Sequence, residues 1–132
     1  MNTRYMFRGK RVDDGEWVIG QISHYGDSLV IIGEIVEWDE EYTCHEWWYK
    51  VNSDTVGQCT GLKDKNGKLI FEGDILNWKN EYWGVEWVGD MCKLELSKYR
   101  NGKLQDAYCL NCEHEEDAVI IGNIYDNPRL LG

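Results

Sequence analysis

Apolar and polar side chains alternate with a period of two residues along much of this sequence. In the segment WGVEW, the side chains of Trp83, Val85 and Trp87 fall on one side of an extended chain, and the segment 92–96, CKLEL, repeats the alternation. A period of two is the period of a β-strand that buries one of its faces. The Gly-Asp pair at 89–90 separates the two segments and predicts a two-residue turn, and therefore a β-hairpin.

Other short segments rich in Val, Ile, Thr, Trp and Tyr are typical of strands, and turn-forming residues separate them. The predicted strands are 16–22 paired with 28–32, 35–38 paired with 42–51, 68–71, a strand that begins at 75, a hairpin within 98–105 that turns at Asn101 and Gly102, and 118–121. Many short antiparallel strands predict an all-β fold, as a sandwich or a barrel. The 132 residues fit a single domain, 1–132, with possible subregions 1–52, of N-terminal β-hairpins, and 53–132, a barrel-like part.

The charge balance limits the possible partners. With 24 acidic and 14 basic residues the formal net charge is -10, which opposes binding to phosphate backbones and makes nucleic acid an unlikely partner. No apolar run approaches the ~18 residues of a membrane span, so no membrane association is predicted. The number of cysteines, five, is odd, and the first residues lack the apolar segment of a secretion signal. Both features predict that the protein is located in a reducing cytoplasm.

One group of residues has metal-ligand spacing. Cys109, Cys112 and His114 lie in CLNCEH, and a CxxC pair lets two thiolates reach one zinc ion. A complete zinc site needs a further ligand, and the remaining Cys and His residues form no second CxxC motif. A zinc-stabilised module is therefore one hypothesis, and small packing residues or surface thiols are the simpler interpretation.

The sequence contains no motif that predicts catalysis or a cofactor. Phosphate-binding, dinucleotide, nucleophile-elbow and zinc-protease motifs are absent. The segment LKDKNG resembles part of a calcium loop, but Leu62 and Gly73 stand where the first and last carboxylate ligands belong. We therefore predict a protein that is not an enzyme and binds no cofactor.

Carboxylates are concentrated in two places. The first stretch, 34–46, has no Lys or Arg and contains Glu37, Asp39, Glu40 and Glu41, and the second is 113–117. A charge run of this kind is usually a solvated loop. The alternative is a surface that imitates the phosphates of DNA and inhibits a nucleic-acid enzyme by occupying its basic groove.

Two adjacent tryptophans, Trp47 and Trp48, fall within the predicted strand 42–51. Neighbouring side chains on a strand point to opposite faces, so at least one indole needs cover from a second layer or from another chain. Together with the nearby acidic residues, the two tryptophans define a candidate interaction surface.

Three long blocks resemble the YopX family of small proteins encoded by phages and prophages. The blocks are TVGQCTGLKDKNGKLIFEGDIL at 55–76, FRGKRVDDGEWVIGQI at 7–22 and VIIGNIYDNPRLL at 119–131. The resemblance implies a compact all-β fold with an SH3-like barrel component around GKLIFEGDIL, and it implies no reaction. We therefore expect a non-enzymatic, protein-binding β module in the cytoplasm of a host bacterium, with an unknown protein partner and a tendency to form homo-oligomers.

Overall fold

The computed structural model describes residues 3–33, 35–38, 43–45 and 47–131, with the backbone alone described at 3, 35–38 and 43–45. Within these residues the chain is all-β, since its helical segments are short 3-10 turns. None of these described segments is long and apolar enough to cross a bilayer. The strands are β1 (Phe7–Lys10), β2 (Trp17–Tyr25), β3 (Ser28–Ile32), β4 (Ile35–Trp38), β5 (Thr43–His45), β6 (Trp48–Lys50), β7 (Gly57–Lys63), β8 (Leu69–Phe71), β9 (Asp74–Trp78), β10 (Glu81–Val88), β11 (Lys93–Arg100), β12 (Lys103–Cys109) and β13 (Val119–Asn123).

Contacts between residues group the chain into two compact units, Met1–Gln58 and Cys59–Gly132. Strand β7 begins in the first unit and continues in the second. Each unit has its own antiparallel pairing and is described separately below. The single domain predicted over 1–132, with its subregions 1–52 and 53–132, stays a prediction.

The first unit contains an antiparallel sheet in the order β6-β3-β2-β1-β7. Strands β2 and β3 form the predicted hairpin, in which Ile22 pairs with Ile31 and Tyr25 with Ser28. The turn is the two-residue loop 26–27, where Gly26 has a φ of 61°, a conformation that glycine adopts without strain. The period-two pattern therefore located this hairpin correctly.

The predicted strand 42–51 is two strands. β5 pairs with β4, as expected, but β6 pairs with β3, and Trp47 lies between β5 and β6 outside both. The backbone N–H of Gly33 donates to the Trp47 carbonyl at 2.9 Å, and a Cβ at Gly33 would stand only 2.7 Å from Cε2 of the indole. The indole therefore packs against the bare backbone of Gly33, at the point where the regular ladder between β3 and β6 ends.

The second unit is built on an antiparallel sheet in the order β12-β11-β10-β9-β13. In addition, β7 pairs with β8, the next strand along the chain. Two hairpins turn through residues with positive φ, at Lys79 and Asn80 and, as predicted, at Asn101 and Gly102. The β10–β11 hairpin differs from the prediction. Val88 pairs with Lys93, so the loop has the four residues 89–92 rather than two.

The core of the second unit lies on one face of this sheet. Its members include Ile70, Leu76, Trp83, Val85 and Leu96, with Trp78, Leu110 and Ala118 around them. The indole of Trp87, predicted to share the buried face with Trp83 and Val85, is 50% exposed. Trp87 lies near the loop end of the hairpin, where its cross-strand partner Leu94 is only partly buried, so periodicity assigned its face correctly but its burial wrongly.

Neither sheet closes on itself among the residues that the structure describes, because each order ends in two edge strands. The SH3-like barrel implied by the family resemblance is therefore not confirmed. The confirmed part of the prediction is an all-β fold of short antiparallel strands.

Candidate functional site

Asp64 lies at the centre of the longest family-like block and is buried, with 3% of its surface exposed. Its Oδ1 accepts hydrogen bonds from the backbone N–H groups of Asn66 and Lys68, each at 2.9 Å, and its Oδ2 accepts from the N–H of Ile120 at 3.0 Å. Both carboxylate oxygens are thus used inside the fold. The resemblance of this segment to a calcium loop reflects an architectural carboxylate that holds a turn against β13.

A second contact joins the same two blocks. Gly73 has a φ of 90°, its N–H donates to the Val85 carbonyl at 2.9 Å, and its carbonyl accepts from the N–H of Ile124 at 2.9 Å. A Cβ at Gly73 would stand 3.1 Å from the Tyr125 ring. Glycine is required at this bend both by its backbone conformation and by the close approach of the ring. The block 55–76 therefore shapes the second unit.

The CLNCEH group does not assemble as a metal site. Cys109 and Cys112 are exposed thiols, whereas His114 is 5% exposed and packs edge-on against Trp78, with the ring centroids 4.6 Å apart. Nδ1 of His114 accepts from the N–H of Asn111 at 3.2 Å, and the Asn111 side chain accepts from the N–H of Glu113 at 2.9 Å. The two side chains form a capping box on the 3-10 turn Cys112–Glu116.

The described part of the chain offers no other metal site. Over the described ranges, no three Cys, His, Asp or Glu side chains come together in a way that could hold an ion. The function of His114 in the fold is that of a cap and a packing partner, which the CxxC spacing did not suggest.

The carboxylates of the second acidic stretch, 113–117, take part in hydrogen bonds within the fold, and those of the first stretch, 34–46, lie mostly outside the described residues. Asp39, Glu40 and Glu41, together with Glu34 and Glu46, lie outside the described residues, and Glu37 is described only as part of the β4 backbone. In the second stretch, Oε2 of Glu115 accepts from the N–H of Lys63 at 3.1 Å, and Oδ1 of Asp117 accepts from the Trp78 indole at 3.1 Å. These two carboxylates therefore support the fold of the second unit.

The two candidate tryptophans have different environments. Trp47 is half-buried, covers Gly20 and Gly33, and lies 5.8 Å from the Tyr49 ring. Trp48 is 47% exposed, and its ring stacks on Tyr25 at a centroid distance of 5.1 Å and an interplanar angle of 22°. The first unit itself covers Trp47, whereas Trp48 remains largely open to solvent.

Strand pairing places Trp48 in a larger apolar surface. Gln21 pairs with Ile32, and Ile32 pairs with Trp48, so these three residues share a face of the sheet. By the two-residue period, Ile19 and Tyr25 lie on the same face as Gln21. Ile19 is 43% exposed and Tyr25 66%. We call the surface formed by Ile19 and the two aromatic residues Tyr25 and Trp48 the aromatic face. Of these three residues the sequence indicated only Trp48, because the order β6-β3-β2 that brings Ile19 and Tyr25 to the same surface depends on distant pairing.

The basic residues near the amino end pack on aromatic rings. The guanidinium of Arg8 lies 4.8 Å and the ammonium of Lys10 5.6 Å from the centre of the Trp17 ring, and the Arg11 guanidinium lies 3.7 Å from that of Tyr49. Arg11 also donates to both oxygens of Asp13 at 3.2 Å, and this hydrogen bond lowers the pKa of the Asp13 carboxyl. Cation–π and ion-pair contacts therefore account for this cluster within the first unit.

Comparison with known proteins gives a family and a structural likeness. The model of the family described as YopX protein matches residues 6–132, which include all three sequence blocks. No curated protein matches the chain. Among solved structures, the crystal structure of protein EF1440 from Enterococcus faecalis is similar, with 23% sequence identity, 96% of each chain covered and a TM-score of 0.48.

Proposed function

The chain belongs to the YopX protein family, and from this premise we propose that it is a non-enzymatic module that binds protein, with a second copy of itself as its first partner. The observation that carries the proposal is the stacked pair of Tyr25 and Trp48 on the open face of the first unit's sheet. Tyr and Trp side chains are enriched at the centres of protein interfaces.

The stacked geometry itself supports a binding role. Each ring limits the rotation of the other, so less side-chain entropy is lost when a partner covers them. The same face of the sheet also carries the exposed polar side chains of Gln21 and Lys50, and protein interfaces commonly combine apolar contacts with hydrogen bonds. A two-fold dimer would place this same face of each copy against the other, which satisfies both copies at once.

Membership of the family also supports a proposal about the location of the protein and about its barrel component. We propose that the protein acts in the cytoplasm of a bacterium that carries the phage or prophage, in agreement with the free thiols of Cys59, Cys92, Cys109 and Cys112 among the described side chains. The segment GKLIFEGDIL at 67–76 would be the entry to an SH3-like barrel component, as the family resemblance implies.

The net charge gives the proposal a distinctive salt dependence. Two copies that each carry a formal charge of -10 repel one another, so salt that screens this repulsion should strengthen an interface of apolar rings. An acidic inhibitor that captures a basic partner would behave in the opposite way, because salt weakens attraction between opposite charges.

Sedimentation velocity or light scattering at low and high salt tests the proposal. We expect the wild type to dimerise more strongly at high salt, and Trp48→Ala or Tyr25→Ala to weaken the dimer at least about tenfold. Trp87→Ala is the matched control, because that indole is equally exposed but belongs to the second unit. A wild type that stays monomeric at about 100 μM, or a Trp48→Ala dimer as strong as the wild type, would contradict the proposal.

A further inference from the structure

An open cleft of about 500 Å³ lies in the second unit. The β9–β10 turn, the β11–β12 turn and the 3-10 turn Pro128–Leu131 border it. Its lining includes Asn80, Glu81, Tyr82, Lys98, Arg100 and Arg129. Its volume is within the range of ~300 to 1,000 Å³ that is usual for small-molecule sites.

The charge of the lining is opposite in sign to that of the whole chain. Three cations and one carboxylate line the cleft, which gives 3 - 1 = +2, whereas the chain carries -10. The carboxylate is already neutralised, since Oε1 of Glu81 lies 2.7 Å from Nζ of Lys98. Arg100 and Arg129 therefore supply the net charge of the cleft.

The side chains of Arg100 and Arg129 are available to a ligand. Both side chains are exposed, and neither makes a hydrogen bond or an ion pair with any residue that the structure describes. The arginines of the first unit differ in this respect, since Arg11 is engaged by both a ring and a carboxylate. The planar guanidinium of arginine matches the oxygens of a phosphate and can bind them in pairs.

The other residues that line the cleft can contact a planar ring of a ligand and the polar groups at the edge of that ring. Tyr82 is 44% exposed, so its ring can stack against a planar group. The amides of Asn77, Asn80 and Asn101 supply both donors and acceptors, and Leu130 adds an apolar contact. Cations, amides and an accessible ring together suit a ligand that combines a phosphate with a heterocycle.

We propose that this cleft binds a small phosphate monoester that carries a planar ring, the chemistry of a mononucleotide. Arg100 and Arg129 contact the phosphate, and Tyr82 stacks on the ring. The site shares no residue with the aromatic face, so it can exist whether or not the protein self-associates. The sequence did not indicate these two arginines, because they line one cleft only through the hairpin turns and the carboxyl-terminal segment.

Calorimetric titration of the full-length protein with adenosine monophosphate tests the site, and adenosine, inorganic phosphate and glucose 6-phosphate serve as partial ligands. We expect the mononucleotide to bind at least about tenfold more tightly than any partial ligand. Arg100→Gln and Arg129→Gln should each weaken its binding about tenfold. Lys103→Gln is the control, because this exposed cation pairs with Arg100 in the ladder but does not line the cleft.

Three results would overturn the proposal. The first is the absence of mononucleotide binding to the folded wild type at millimolar ligand. The second is unchanged affinity in the Arg100→Gln/Arg129→Gln double variant, whose thermal unfolding confirms that it folds. The third is equal affinity for inorganic phosphate or glucose 6-phosphate, since the ring would then contribute nothing. Sedimentation of the same double variant keeps the result separate from self-association, which these substitutions should leave unchanged.

Discussion

The carboxylate of Asp64 and the backbone N–H of Ile120 are joined by a hydrogen bond of 3.0 Å across 56 residues of sequence. Asp64 lies in the turn between β7 and β8, and Ile120 lies in β13 at the edge of the second unit's sheet. A single buried side chain thus connects the longest family block with the closing one. Its two oxygens accept hydrogen bonds from three backbone N–H groups, and buried N–H groups of this kind need a partner.

We expect Asp64→Ala to lower the free energy of unfolding by about 3 kcal/mol, because three backbone N–H groups lose a charged acceptor. Asp64→Asn should cost about half as much, since the amide oxygen can still accept from the turn. Urea unfolding followed by tryptophan fluorescence measures both. Asp90→Ala, at an exposed carboxylate, is the control and should change stability by less than about 0.5 kcal/mol. Equal stability of Asp64→Ala and Asp90→Ala would contradict the assignment.

Gly122 is required by the side chain of Asn127. A Cβ at Gly122 would meet Oδ1 of Asn127 and stand 2.9 Å from its Cγ, while the Asn127 side chain accepts from the N–H of Asn123 at 3.2 Å. We therefore expect Gly122→Ala to destabilise the protein by about 2 kcal/mol through overpacking. Thermal or urea unfolding measures the change.

Gly89→Ala is the matched control for Gly122→Ala, because a Cβ at Gly89 would meet only the Trp87 indole, at 4.0 Å. Its effect should stay within about 0.5 kcal/mol. In an Asn127→Ala background the cost of Gly122→Ala should fall, since the clashing atoms are gone. If the two substitutions are additive, the packing of Asn127 over Gly122 is not the cause.

The local patterns of the sequence predicted most of the strands, because a strand's period and its turn residues are encoded within a few positions. The β2–β3 hairpin and the Asn101–Gly102 turn are cases of this kind. The turn at Lys79 and Asn80 was missed, since Lys is an unusual residue for positive φ and only the pairing of Trp78 with Glu81 imposes it.

Features that depend on distant residues could not be predicted. The packing of Trp47 depends on Gly20 and Gly33, which lie on other segments of the first unit. The CxxC spacing suggested a ligand role for His114, but its burial beside Trp78 depends on a strand more than thirty residues earlier. The candidate sites have the same limit: sequence identified Trp48, and only strand order identified Tyr25 as its neighbour.

His114 and the two cysteines near it should respond differently to substitution. We expect His114→Ala to cost about 2 kcal/mol, because it removes a cap and an aromatic contact with Trp78. Cys109→Ser and Cys112→Ser should each change stability by less than about 0.5 kcal/mol, since both thiols are exposed. Urea unfolding with and without a chelator, alongside elemental analysis, measures these effects. A zinc-stabilised module would instead lose comparable stability in all three variants and in the chelated wild type.

Tyr99 gives the protein a pH dependence at alkaline pH. Its Oη donates to Oε1 and Oε2 of Glu86 at 2.8 and 2.7 Å, and burial, reinforced by this carboxylate, raises the pKa of Tyr99 to about 12. In the unfolded chain the pKa of tyrosine is about 10. The folded state therefore holds the phenolic proton more tightly, so the stability from this group is complete below pH about 10 and is lost as the pH rises toward about 12.

Ultraviolet titration of phenolate formation tests this assignment. The wild type should contain one tyrosine that ionises near pH 12, and Glu86→Gln should lower the pKa of Tyr99 because it removes the negative charge beside the phenol. Tyr99→Phe should remove the late step altogether. Glu81→Gln is the control, since Glu81 contacts Lys98 rather than Tyr99. Coincident titration curves for the wild type and Glu86→Gln would show that the carboxylate does not govern this proton.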